Sequence, residues 1–177
     1  LLTHMHGDHL GGLLINEKVA FPNAKLYIAQ LEYDYWMNTD SRGGEQARKV
    51  IAAYKSKLQL FTPTDFEDAD NDLLSGIQAI AAYGHTPGHT AFLLKSTDAR
   101  FLIWGDLTHA MAIQMPHPEI AVTYDVNPKE AIVARKKILE YVAKNKIPIA
   151  GMHIAFPAMG YIAANATDGY EFKALER

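Results

Sequence analysis

The chain has 177 residues, 49% of them apolar, and a formal net charge of -3. That suits a single soluble globular domain, residues 1–177, with a sizeable core. The mild acidity argues against a nucleic-acid partner, no apolar run approaches the ~20 residues that span a bilayer, and the lack of cysteine excludes a disulfide framework, a zinc ribbon and a thiol nucleophile while leaving cytoplasm and periplasm equally open.

Leu1-Leu2-Thr3 reads as the end of a buried strand entered without a turn or an initiator Met, so an upstream segment is expected to be missing. Lys25–Ala29 alternates after the turn-prone Phe21-Pro22-Asn23 and reads as a strand. Gln30–Met37 reads as a short helix, and Glu45–Leu58 as a better one. Ala47, Val50, Ile51, Tyr54 and Leu58 share a face of the latter, and Arg42-Gly43-Gly44 forms a flexible entry. Asp68, Asp70 and Asp72 match the start of a calcium loop, but Leu73 and Ala79 stand where Gly and a bidentate Glu are needed. The stretch Asp65–Asp72 therefore reads as a solvated loop. Strands are expected at Ile77–Ala82, Ala91–Leu94 and Phe101–Trp104. A helix then opens with Asn127 as N-cap, Pro128 at its first position and Glu130 to complete a capping box. It runs to about Lys144, with Arg135-Lys136-Lys137 on a solvated face, and Ile147–Ala150 resumes as a strand. Strands alternating with helices make the fold class α/β.

Most of the chemistry is concentrated in Thr3-His4-Met5-His6-Gly7-Asp8-His9-Leu10-Gly11-Gly12. Neutral imidazole and carboxylate are common zinc ligands. His4 and His6 are two apart and point the same way in an extended segment. Asp8 and His9 follow where a turn aims them at a second ion, and Gly11-Gly12 permits tight backbone there.

This string resembles the signature of the metallo-β-lactamase superfamily. Three later motifs resemble the family's others, in order: Gly84-His85-Thr86-Pro87-Gly88-His89-Thr90, Trp104-Gly105-Asp106 and Gly151-Met152-His153. The resemblance implies an αββα sandwich lacking its N-terminal strands. It also implies two divalent metal ions, zinc by default, with iron or manganese as alternatives. His4, His6 and His89 would hold one ion, Asp8, His9 and His153 the other, and Asp106 would bridge them. His85 is then an outer or structural residue. The implied activity is hydrolysis by a bridging hydroxide, with Asp8 orienting it or passing a proton to the leaving group.

Phe21-Pro22-Asn23-Ala24, Glu32-Tyr33-Asp34-Tyr35-Trp36 and His153–Ile162 resemble the lactonase and methyl-parathion-hydrolase-like branch. This implies a small ester-type substrate: a lactone, an aryl ester or an organophosphate triester. Trp36 is then open to either a pocket or a core role, and Tyr161 stands where a His is frequent in that branch. His109 is a candidate for the site mouth, His117 reads as an exposed turn residue, and Tyr33 and Tyr35 are open to a homodimer contact. A nuclease or phosphodiesterase, a thioesterase and a non-catalytic metal-binding domain are the rival readings.

Overall fold

The computed structural model describes residues 1–68, 70–167 and 169–175. The signature segment runs into a short helix, α1 (Gly7–Leu10), a 3-10 turn and a small hairpin of β1 (Leu14–Ile15) and β2 (Lys18–Val19). The hairpin's turn residues, Asn16 and Glu17, have φ of 48° and 62°, the left-handed geometry that a two-residue connection requires. β3 (Leu26–Ala29) and α2 (Gln30–Asn38) lie where the sequence places them.

α3 (Arg42–Tyr54) differs from expectation at both ends. Ser41 caps it by accepting the Gly44 N–H at 3.1 Å, so Arg42-Gly43-Gly44 is its first turn rather than a flexible entry. Glycine is needed there for close approach: a Cβ on Gly44 would lie 2.0 Å from the Thr39 carbonyl oxygen, and one on Gly43 2.7 Å from the Trp36 ring. At the other end Leu58 opens β4 (Leu58–Phe61) and pairs in parallel register with Leu26. Long-range pairing overrides its helical spacing.

β5 (Ile77–Ala81), β6 (Thr90–Lys95) and β7 (Arg100–Ile103) form an antiparallel run. A short α4 (Met111–Gln114) precedes α5 (Pro128–Asn145), whose cap is the expected Asn127, its side chain accepting the Glu130 N–H at 3.3 Å. The box is not reciprocal, because the Asn127 backbone N–H instead donates to Gly84 O at 2.9 Å and ties the helix to the loop after β5. β8 (Ile149–Ala150) is shorter than expected, since Ile147 N–H closes the end of α5 on Val142 O. β9 (Met159–Ala164) and β10 (Tyr170–Ala174) complete a six-stranded sheet in the order β10-β9-β8-β7-β6-β5, parallel at β7–β8.

Alternation along the strands sorts side chains into layers. On β6, Ala91 and Leu93 join Ile138, Leu139 and Val142 of α5, while Phe92 and Leu94 face Tyr27 and Phe61 of the two-stranded β3–β4 sheet. The far side of β3 packs Ile28 against Trp36, Val50, Ile51 and Tyr54 of α2 and α3. Helix, sheet, sheet and helix pairs thus stack as an αββα sandwich. Its second sheet has two strands among the described residues. Leu1–Thr3 is not a strand but an extended bridge between the sheets, Leu2 N–H donating to Tyr27 O (3.1 Å) and Thr3 O accepting Thr90 N–H (2.9 Å). It delivers His4 to the strand ends, where the loops after β5, β7 and β8 converge. The acidic stretch 65–72 takes part in no ligand cluster among the described residues.

Candidate metal centre

His4, His6 and His85 form one group whose ring nitrogens lie within 4.8 Å of one another. His4 is fully buried and keeps its Nδ1 3.1 Å from the Thr3 hydroxyl, which leaves Nε2 facing the centre without a hydrogen-bond partner. His6 Nδ1 stands 2.9 Å from His85 Nε2. His85 places Nδ1 3.0 Å from the Asp125 carboxylate, so Nδ1–H donates outward and Nε2 faces in.

Asp8, His9, Asp106 and His153 form the second group. His9 Nε2 lies 3.1 Å from Asp106 Oδ1, and His153 Nε2 lies 3.0 Å from Asp106 Oδ2. Asp8 Oδ2 is 3.5 Å from His9 Nε2 and 3.6 Å from His153 Nε2. The Asp106 carboxylate also stands 3.7 Å from His4 Nε2 and 3.5 Å from His85 Nε2, so it lies between the two groups.

The electrostatics fit bound cations. Burial, then the imidazoles of His89 and His9, hold His4 far below the ordinary range, and burial with His85 pushes His6 down to about 4. Burial alone would raise Asp106, but hydrogen bonds from His109, His85 and His9 and the adjacent His4 pull it far below the usual carboxylate range. Near neutral pH His4 and His6 are therefore neutral and Asp106 is ionised, the protonation states that metal binding needs, whereas, against the effect of burial, the Asp106 and Asp125 carboxylates pull His85 above its ordinary range. An inward-facing Nε2 on His4 with nothing to bond to is a desolvation cost that a cation removes.

Six of the seven residues expected to be ligands stand in these two groups, and His89 stands outside them. His89 is fully buried with both ring nitrogens engaged: Nδ1–H donates to Ala82 O at 2.8 Å, and Nε2 accepts the Asp106 N–H at 3.0 Å. It belongs to no possible ligand group among the described residues, whereas His85 lies beside His4 and His6. The physical reason lies in the loop after β5. His89 directly precedes β6, and its carbonyl accepts the Ala82 N–H at 3.0 Å, whereas His85 sits out on the loop and reaches past the strand ends. Burial pushes His89 down to about 3, as befits a neutral, internally bonded ring.

Other expectations also change. Trp36 does not line the cavity. It is buried, donates Nε1–H to Glu32 at 2.6 Å and sets its ring edge-on to His6 at 5.5 Å. Tyr161 lines a separate groove with Lys95, Arg100 and Lys146. Arg135 is not solvated: it is 1% exposed, donates to the carbonyls of Leu107, Pro118 and Ile120, and lies 3.5 Å from Asp125. Its position on the same stripe as Ala131, Ile138, Leu139 and Val142 was the available signal, since a charge on an apolar stripe is a buried charge. Asp125 and Gln114 were missed altogether, and Glu32 was given no role of its own. Gln114 accepts the N–H groups of His109 and Ala110 at 2.7 and 3.0 Å. His109 does stand at the site, its Nε2 3.2 Å from Asp106 Oδ2 and its ring stacked 4.8 Å from His153.

Both groups open onto a cavity of about 530 Å³, with His109 and Tyr124 in its wall. Residues 1–146 match the family model of the metallo-beta-lactamase superfamily. No curated protein matches the chain. Among solved structures it is similar to the hydrolase AbOPH of the beta lactamase superfamily, at 28% identity and TM-score 0.89, over 99% of this chain and 63% of that one. It is similar to AidC, a dizinc quorum-quenching lactonase solved with a product, N-hexanoyl-L-homoserine, at 26% identity and TM-score 0.88, over 99% and 63% of the two chains. A probable metal-dependent hydrolase from Staphylococcus aureus shares the fold at 21% identity and TM-score 0.73, over 99% and 62%. The chain thus spans less than two thirds of the length of each of these structures. Its ordered motifs, its four layers and the family match over residues 1–146 agree: the chain belongs to the metallo-beta-lactamase superfamily.

Proposed function

We propose that this protein is a hydrolase that works with two divalent metal ions on a small ester-type substrate, a lactone before an aryl ester or an organophosphate triester. One observation carries the reading: two groups of possible ligand atoms meet at a single cavity, with Asp106 a member of one and 3.5 to 3.7 Å from two rings of the other. His4, His6 and His85 would hold one ion, Asp8, His9 and His153 the other, and Asp106 both. Nitrogen and oxygen ligands without sulfur suit zinc, with iron or manganese next. Such ions, when bound, make a coordinated water acidic near neutral pH and polarise a substrate oxygen.

The chain's own residues supply the rest. Asp8 is the most exposed of the ligand set, with 60% of its side chain open, which leaves it free to pass a proton to the leaving group. His109 steadies Asp106 from the cavity wall. Tyr124, 68% exposed and 6.0 Å from the His109 ring, offers an aromatic face to the non-reacting part of a substrate and a phenol that donates to one of its oxygens. A volume near 530 Å³ suits a small molecule rather than a polymer. The likeness to a dizinc lactonase supports lactones as the first class to try.

The test is a metal determination followed by assays on a lactone, an aryl ester, a phosphotriester, a thioester and a β-lactam, with chelation and metal re-addition. Chelator-sensitive turnover of the lactone, restored by metal, is expected. Turnover indifferent to chelation, or stoichiometric metal with none of the five cleaved, overturns the reading.

A further inference from the structure

Glu32 is an acidic residue with 1% exposure and no basic side chain among its hydrogen-bond partners. Its first carboxylate oxygen accepts the Met5 backbone N–H at 2.8 Å and Trp36 Nε1–H at 2.6 Å. Its second accepts the Thr86 hydroxyl at 2.6 Å and the Gly88 backbone N–H at 3.0 Å. Burial pushes this carboxyl above its ordinary range, and the four donors oppose that by stabilising the ionised form. A buried carboxylate is costly to keep unless it is fully bonded, and here every bond goes to a segment that carries or supports a ligand. Met5 lies between His4 and His6. Trp36 backs the His6 ring. Thr86 directly follows His85 and Gly88 lies three residues after it in the same loop. The contact is close enough to need glycine, since a Cβ on Gly88 would lie 2.2 Å from Glu32 N.

The two ligand segments are about eighty residues apart in sequence, and helix α2 is the element that touches both through one side chain. We infer that Glu32 is a positioning residue: its carboxylate fixes the His4–His6 segment against the His85 loop and so sets the spacing of the three imidazoles. The inference rests on the metal-centre reading above. Gln cannot replace Glu here. Its amide nitrogen would face either the Met5 and Trp36 N–H groups or the Gly88 N–H, donor against donor, so at least one backbone or indole donor is left unbonded.

The experiment compares wild-type, Glu32→Gln and Thr86→Val proteins by Zn²⁺ competition with a chromogenic chelator, by the visible spectrum of the Co²⁺-substituted forms, and by thermal unfolding of the metal-free forms. Glu32→Gln is expected to weaken retention of the tighter ion about 10- to 100-fold, the range for partners that orient ligands, and to change the Co²⁺ bands. Thr86→Val removes one of the four donors and should move both readouts the same way by a smaller factor. It also decides the matter if Glu32→Gln does not fold. Wild-type affinity and an unchanged Co²⁺ spectrum in the variants, with only the metal-free melting temperature lowered, overturn the inference and leave Glu32 as a packing residue. A wild-type protein that binds neither ion overturns the metal-centre reading itself, which is a separate result.

Discussion

The two ligand groups meet at Asp106 but are built on different principles. In the His4–His6–His85 group, His4 and His85 are 0% and 3% exposed. Their outward nitrogens are held by Thr3 and Asp125, and Arg135 stands behind Asp125. In the Asp8–His9–His153 group, Asp8 has 60% and His153 38% of its side chain exposed, and His153 sits in an irregular loop with a left-handed φ of 60°. The inner trio is arranged by the core before any ion arrives, whereas the outer ligands depend more on the ion to order them. Prearranged ligands spend less of the binding energy on ordering, so the inner site should hold its ion more tightly.

The largest effect should come from the residue that the two halves share. Asp106→Asn removes the charge between both groups, and bound metal is expected to fall from two equivalents to below one, with hydrolysis at background. Two equivalents retained, by elemental analysis after dialysis, would mean that the halves are independent and that Asp106 links nothing. The comparison itself is read from His85→Ala against His153→Ala. His85→Ala should lose the tightly held equivalent, while His153→Ala should keep it and lose the one removed by a weak chelator. Equal losses, or the reverse order in a chelator titration, would break the distinction between an inner and an outer site.

A smaller effect sharpens why the inner site is tight. Asp125→Asn keeps an oxygen for His85 Nδ1–H but removes the charge that fixes the ring's tautomer and neutralises Arg135. Metal affinity at the inner site is expected to fall about 10- to 100-fold, with the outer site little changed. A uniform loss at both sites would point to general loosening of the loop rather than to the orientation of His85.

The same contrast explains what was legible in the sequence. His4, His6, Asp8 and His9 lie within six residues, so their chemistry is written in one string, and the order of the later motifs singled out Asp106 and His153, which stand in the same group as Asp8 and His9. That His85 rather than His89 lies beside His4 and His6 was not readable from spacing, because both stand in one Gly- and Pro-rich loop. What separates them is that His89 is spent on backbone bonds to Ala82 and Asp106, and those partners are set by tertiary structure. The supporting residues Glu32 and Asp125 act across 27 to 56 and 40 positions of sequence, respectively, distances at which no local pattern operates. The four layers followed from strand–helix alternation and the family motifs. The β9–β10 hairpin and the switch of Leu58 from helix to strand did not, because both are decided by partners elsewhere in the chain.

The smallest expected effect concerns Tyr161. On β9, Ile162 points into the core beneath α5, so its neighbour Tyr161 must face the other way. There its side chain is 40% exposed and lines a groove with Lys95, Arg100 and Lys146, not the metal cavity. A phenol in that position cannot bond a substrate oxygen at Asp106 without the strand reversing its faces. Tyr161→Phe should therefore leave kcat/KM within about twofold and stability within about 0.5 kcal/mol, as for a surface change away from any special feature. Tyr124→Phe, in the cavity wall, should raise KM, because it removes the one phenol that reaches the cavity among the described residues. If instead Tyr161→Phe costs tenfold or more while Tyr124→Phe costs nothing, the substrate approaches along the β9 side. The outer ligands would then form the floor of a longer cleft rather than the mouth of this one.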